Sequence, residues 1–145
     1  MSITKSVIFV LVTHFFTFSA LADTNSSKTP TNNSVEPLAT YQEALSYLLG
    51  RNGKTKSAEK AAVLFKSLAE QNWSSAQHML GNLYFKGKGV EKNDLLAYKW
   101  LSIASRDNMQ LASAISDKRK SLQNKLSDTH LQQVEAWISD WRPSN

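Results

Sequence analysis

AAVLFKSLAEQNWSSAQHMLGNLYFKGKGVEKNDLLAYKWLSIA, residues 61–104, decides the fold of this 145-residue chain. Apolar residues recur at three and four positions, first as Ala61, Ala62, Leu64, Phe65, Leu68 and Ala69, then as Ala76, Met79, Leu80, Leu83 and Tyr84. A third set follows in Leu96, Ala97, Trp100, Leu101, Ile103 and Ala104. That spacing predicts amphipathic helices with one buried stripe each. Between them lie breaks with their own chemistry. Asn72 tolerates the left-handed geometry of a helix stop, Ser74-Ser75-Ala76-Gln77 has capping-box spacing, and Gly87-Lys88-Gly89 permits a sharp reversal.

The helices repeat one another. Ala61, Leu64, Phe65, Leu68 and Asn72 recur 36 positions later as Ala97, Trp100, Leu101, Ala104 and Asn108, and Gly53 recurs as Gly89. Gln42, Leu45 and Leu48 recur 35 positions later as Gln77, Leu80 and Leu83. A helix pair with a mid-thirties period cannot bury its apolar face alone; stacked pairs share a continuous core, as in a tetratricopeptide-type solenoid. Alanines at 61, 76, 97 and 104 allow close helix approach, while Phe65, Tyr84 and Trp100 fill the space between pairs. An unrelated helical bundle is the competing reading.

Reading outward, Leu45, Leu48 and Leu49 give an earlier helix its stripe, and Gly50 to Ser57 forms a loop. Asn93 or Asp94 caps the fourth helix and Asn108 stops it. A fifth helix is expected over about 110–125 with Leu111, Ala112, Ile115, Leu122 and Leu126. Ser127-Asp128 caps a sixth, whose Leu131, Val134, Trp137, Ile138 and Trp141 fall at core spacing before Pro143. The expectation is an all-α, short α/α solenoid of about six helices, with repeats over 38–126 and a C-terminal capping helix over 127–145.

The segment from Ala61 to Ala104 resembles the Sel-one-like repeat family, a relative of tetratricopeptide repeats. Ala76, Leu80, Gly81, Tyr84, Gly87, Gly89 and Val90, then Asp94, Ala97 and Trp100, match its pattern, and Leu68-Ala69-Glu70-Gln71 resembles the close of its preceding helix. Asn72 and Asn108 stand where the family usually carries glycine, and the first loop lacks the family's glycine form. The resemblance implies a right-handed superhelix that holds a protein or peptide. It also implies that the first helix of each pair lines a concave face. Lys66, Tyr98, Lys99 and Ser102, which flank the buried stripes, are the candidate groove residues there, with Trp73 in its turn as a further contact.

The ends carry different information. Ser6 to Phe18 is almost wholly apolar, Lys5 precedes it, and Ala20-Leu21-Ala22 supplies small residues, which predicts a signal peptide over 1–22 cleaved after Ala22. A membrane anchor is the competing reading; the apolar run is shorter than the ~20 residues a spanning helix needs. The polar stretch 23–37, with two prolines, is expected to be a disordered linker. Localisation is therefore expected to be periplasmic or secreted, with no transmembrane segment in the mature chain. There is no cysteine, so neither a disulfide nor a lipid-bearing cysteine is available. Three glycosylation sequons, at Asn25, Asn32 and Asn72, matter only in a eukaryotic secretory pathway.

The net charge is +5, or +4 once Lys5 is removed, a mild bias towards acidic partners. Arg51, Lys54 and Lys56 in the first loop and Lys86, Lys88 and Lys92 in the repeat-equivalent loop would form one basic edge if the repeats stack in register. That edge suits an anionic polymer or simply holds solvated charge. Lys118-Arg119-Lys120 is expected to face solvent. His78 and His130 lie in different helices without metal spacing, and neither a nucleophile motif nor a phosphate loop is present. The expected function is a protein–protein interaction module or scaffold, not an enzyme, with no cofactor, no metal and no nucleic acid. A binder of anionic envelope polymer and a hydrolase are the alternatives.

Overall fold

The computed structural model describes residues 35–106 and 108–144. The expected signal segment and most of the polar linker lie outside the described residues. Six helices follow in order: α1 Val35–Leu49, α2 Ala58–Glu70, α3 Ser74–Lys86, α4 Asp94–Arg106, α5 Met109–Gln123 and α6 Asp128–Asp140. No strand occurs among the described residues. The first helix begins at Val35, so Val35–Pro37, expected to lie in the linker, are helical. Proline is tolerated in a first turn because its missing N–H has no intrahelical acceptor there.

Four of the six helices begin at a side-chain cap. Ser57 Oγ accepts from Lys60 N, Asn93 Oδ1 from Leu96 N, Asn108 Oδ1 from Leu111 N and Ser127 Oγ from His130 N. These bonds satisfy amides that the first turn leaves without partners. Asn108 thus starts α5 rather than stopping α4, which ends at Arg106. Asn72 adopts φ 66°, and Trp73 N and Asn72 N donate to the carbonyls of Leu68 and Ala69. That left-handed stop closes α2 as expected.

The capping box expected at Ser74 does not form. Trp73 occupies the cap position without a side-chain bond. Gln77, fully buried, reaches back instead, and its Nε2 donates to Ala69 O at 3.1 Å and to Asn72 Oδ1 at 3.2 Å. The end of α2 and the start of α3 are thereby tied together by one side chain.

The repeat is visible in the hydrogen bonds. Ser57 N donates to Tyr47 O at 2.9 Å in the first unit, and Asn93 N donates to Tyr84 O at 3.0 Å in the second. Consecutive helices pack from α1 to α5, and α6 packs on α4. At Gly81 a β-carbon would lie 2.8 Å from Leu101 Cγ, so α3 and α4 meet at closer range than any other residue there would permit.

Two apolar clusters result. The first joins Ala44, Leu48, Ala61, Phe65, Leu68, Leu80, Leu83, Trp100 and Ile103 from four helices. The second joins Ala97, Tyr98, Leu101 and Ala104 of α4 to Ile115, Leu122 and Val134. Helix α4 therefore buries two faces, because α6 folds back across it. Its tail continues to α2, where Ser144 N donates to Glu70 O at 2.8 Å. Among the expected core positions, Leu49 is exposed, Trp137 is 40% exposed, and Leu96 is half-buried but belongs to neither cluster. Leu49 ends the first helix, where no further element among the described residues covers it.

Candidate partner-binding surfaces

The return of α6 onto α4 creates a cleft of about 360 Å³ lined by Leu96, Lys99, Trp137, Asp140 and Trp141. Leu96 and Lys99 stand one turn apart on α4, and Trp137 and Trp141 stand one turn apart at the end of α6. The Lys99 ammonium lies 5.1 Å from the Trp100 ring centroid and 5.6 Å from that of Trp137. Burial holds Lys99 below the usual lysine range, with the Glu70 charge opposing that shift. Trp141 meets Trp100 edge to face at 6.4 Å. The Arg106 guanidinium lies 5.8 Å from the Trp141 ring, and its Nη1 donates to Ile138 O. A flat aromatic wall carrying a half-desolvated cation is suited to grip a polar group together with its attached carbon chain.

The four groove residues expected from the sequence, and Trp73 as the further contact, do not form one surface. Lys99 lies in the cleft. Ser102 is half-buried on the same helix. Tyr98 is 2% exposed, a correction: it is a core residue beneath α6, and its hydroxyl donates to Glu135 Oε1 at 2.7 Å. Lys66 is exposed on α2 and pairs with Glu70 at a long 3.9 Å. Trp73 is half-buried and stacked on Tyr41 at 6.3 Å. Leu96, Trp137, Asp140 and Trp141, which line the cleft with Lys99, were not among the expected residues. The four-residue spacing of the two tryptophans was visible, but it equally suits a core stripe.

The second basic loop packs on the helix that follows the first. A β-carbon on Gly89 would lie 2.2 Å from the Ala58 carbonyl carbon, so the second loop rests on the start of α2, directly after the first. Arg51, Lys56, Lys86, Lys88 and Lys92 are exposed. Lys54 is engaged internally, 2.8 Å from Glu43 and 4.9 Å from the Tyr47 ring centroid. Of the run at 118–120, only Lys120 is exposed. Lys118 donates to Asn82 Oδ1, and Arg119 Nη1 donates to Ser105 Oγ at 2.9 Å. Those two side chains pack onto α3 and α4, which corrects the expectation of a solvent-facing run.

His78 is half-buried on α3, and His130 is exposed in the first turn of α6. Among the described residues no three His, Asp or Glu side chains gather in metal-binding geometry. No helix among them is long and apolar enough to cross a membrane.

Comparison with known proteins agrees with this architecture. The family model for the Sel1 repeat matches residues 38–73 and 74–109. In that register α2 and α4 are the second helices of their units, so Lys66, Tyr98, Lys99 and Ser102 do not stand on first helices. The crystal structure of a protective antigen present in uropathogenic Escherichia coli strains, displaying an SLR fold, is similar with a TM-score of 0.65 and 31% identity. The likeness covers 72% of this chain and 22% of that one, so the chain spans about a fifth of its neighbour. No match is found among the curated proteins.

Proposed function

Because the chain belongs to the Sel1-like repeat family, whose repeats indicate protein–protein interaction, we propose that it is an exported module that grips a protein partner at the α4/α6 cleft. The observation that carries this reading is the exposed Trp137 beside Lys99, over a wall formed by Trp141. A large aromatic with one apolar face and a cation beside it is the kind of group that dominates binding at protein interfaces. The apolar start of the sequence supports export, with a mature chain beginning at Asp23.

A photo-reactive phenylalanine analogue at position 137 tests this reading, with position 132 on the exposed side of α6 as control. A discrete cross-linked protein from position 137, absent from position 132 and reduced in Lys99→Ala, is the expected result. Equal labelling from both positions would overturn it. Export is checked by N-terminal sequencing of the chain recovered from the cell envelope fraction; an intact Met1 there would contradict cleavage after Ala22.

A second reading is favoured by the adjoining loops. Arg51, Lys56, Lys86, Lys88 and Lys92 offer an exposed cationic edge to an anionic envelope polymer. Such contacts weaken steeply as salt rises. Loss of that salt dependence in a variant with Lys56, Lys86 and Lys88 changed to Ser is the expected signature.

A further inference from the structure

Helix α3 carries a second stripe outside the first apolar cluster, of which Phe85 packs against the second. His78, Asn82, Phe85 and Lys86 fall at successive turns along one side, whereas Ala76, Leu80 and Leu83 face the first cluster. Against this stripe α5 sets Lys118, and the chain just beyond α5 sets Lys125. Lys118 Nζ donates to Asn82 Oδ1 and stands 5.5 Å from the Phe85 ring centroid; Lys125 Nζ stands 5.7 Å from the same ring. Asn82 is itself fixed, because its Nδ2 donates to His78 O at 3.0 Å.

The electrostatics are one-sided. Burial, and then the neighbouring Lys86 charge, hold the Lys118 ammonium below the usual lysine range. Burial, and then Lys118, hold the His78 imidazole below its ordinary value. Among the described residues the ion pairs are Lys54–Glu43 and Lys66–Glu70, so no carboxylate lies within pairing distance of Lys86, Lys118 or Lys125. Cations brought together and partly desolvated without a counter-charge are unfavourable unless an anion completes the group.

We propose that His78, Asn82, Phe85, Lys86 and Lys118 form a seat for a side-chain carboxylate of an acidic peptide segment. This rests on the interaction-module reading and gives the chemistry of the partner. Asn82 holds the Lys118 ammonium in place while two of its N–H groups remain to be donated. Lys86 closes from the exposed side. The Phe85 ring offers an apolar surface for the methylenes next to the carboxylate. A point seat of this kind suits one acidic side chain and its backbone. An extended sulfated polymer is better matched by the freely exposed lysines of the loop edge.

The test uses the full-length mature chain and a hexaglutamate peptide acetylated and amidated at its ends, so that side chains are its only anions. Nuclear magnetic resonance follows the His78 imidazole, and fluorescence anisotropy gives the affinity. Hexaglutamate is expected to raise the His78 pKa, and hexaglutamine to leave it unmoved. The K86Q/K118Q pair is expected to weaken hexaglutamate binding at least tenfold. K86Q alone, at an exposed position that tolerates change, is expected to weaken it severalfold, and the K56Q/K88Q loop variant less than twofold. A His78 resonance unmoved by millimolar hexaglutamate would overturn the seat. So would equal affinity in the seat variants, a larger effect from the loop variant, or binding of a heparin oligosaccharide but not of the peptide. The cross-link at position 137 uses none of these side chains, so loss of the seat with that adduct intact would leave the module reading standing.

Discussion

At the residue scale, identical side chains differ in role according to what covers them. Trp100 is 6% exposed between α1–α3 and the tail, whereas Trp137 stands at the rim of a cleft. Trp100→Ala is expected to cost ~3–5 kcal/mol, as large-to-small core changes do. Trp137→Ala is expected to cost under ~1 kcal/mol, as surface changes do. Urea denaturation of both variants checks the contrast, and equal losses would place Trp137 in the core. His78 supplies a pH dependence with a definite sign. Its folded-state value lies below the unfolded one, so the unfolded chain takes up protons first as pH falls. Stability is therefore fully present above the ordinary imidazole value of about 6.5 and declines as pH falls through it, from this group alone. His78→Gln should flatten that decline in melting curves recorded across the window. An unchanged slope would mean that burial of the imidazole is not felt.

At the element scale, the loop after α3 is held against α2 by the absence of a side chain. Gly53 and Gly89 share a φ of 72°, but a β-carbon meets nothing within 4 Å at Gly53 and meets the Ala58 backbone at Gly89. Gly53→Ala therefore reports the left-handed backbone alone, about 1–2 kcal/mol. Gly89→Ala adds a steric clash with backbone, for roughly 2–4 kcal/mol in all. Thermal melts of the pair measure the difference. Equality would mean that the second repeat does not rest on the first at this point. Helix limits were largely legible, because Asn72, Gly87, Asn93 and Ser127 carry their geometry in their own side chains or lack of one. Gln77 was not. A glutamine near a helix start resembles a capping box, and only the approach of α2's last carbonyls turns it the other way.

At the scale of the whole molecule, α4 contributes to both apolar clusters, and Ile138 of α6 packs against both. The two repeats and the C-terminal helices should therefore unfold together. Far-ultraviolet circular dichroism and tryptophan fluorescence are expected to give one coincident transition. Removing 127–145 should lower it and uncover Tyr98 and Leu101 to a hydrophobic dye. Two separated transitions in the intact chain would show the clusters to be independent. What the sequence determined by itself was what recurs within one helix or one repeat: the helical period, most caps and the mid-thirties spacing. Those features depend on neighbours a few residues away or on exact repetition, and both are written along the chain. What only the tertiary structure decided was the path of α6, which has no repeat to copy. Its return across α4 buries Tyr98, leaves Trp137 at the surface, forms the cleft and carries the tail to α2. A single amphipathic stripe specifies that a helix must be covered, and not by which element, because burial free energy is non-directional.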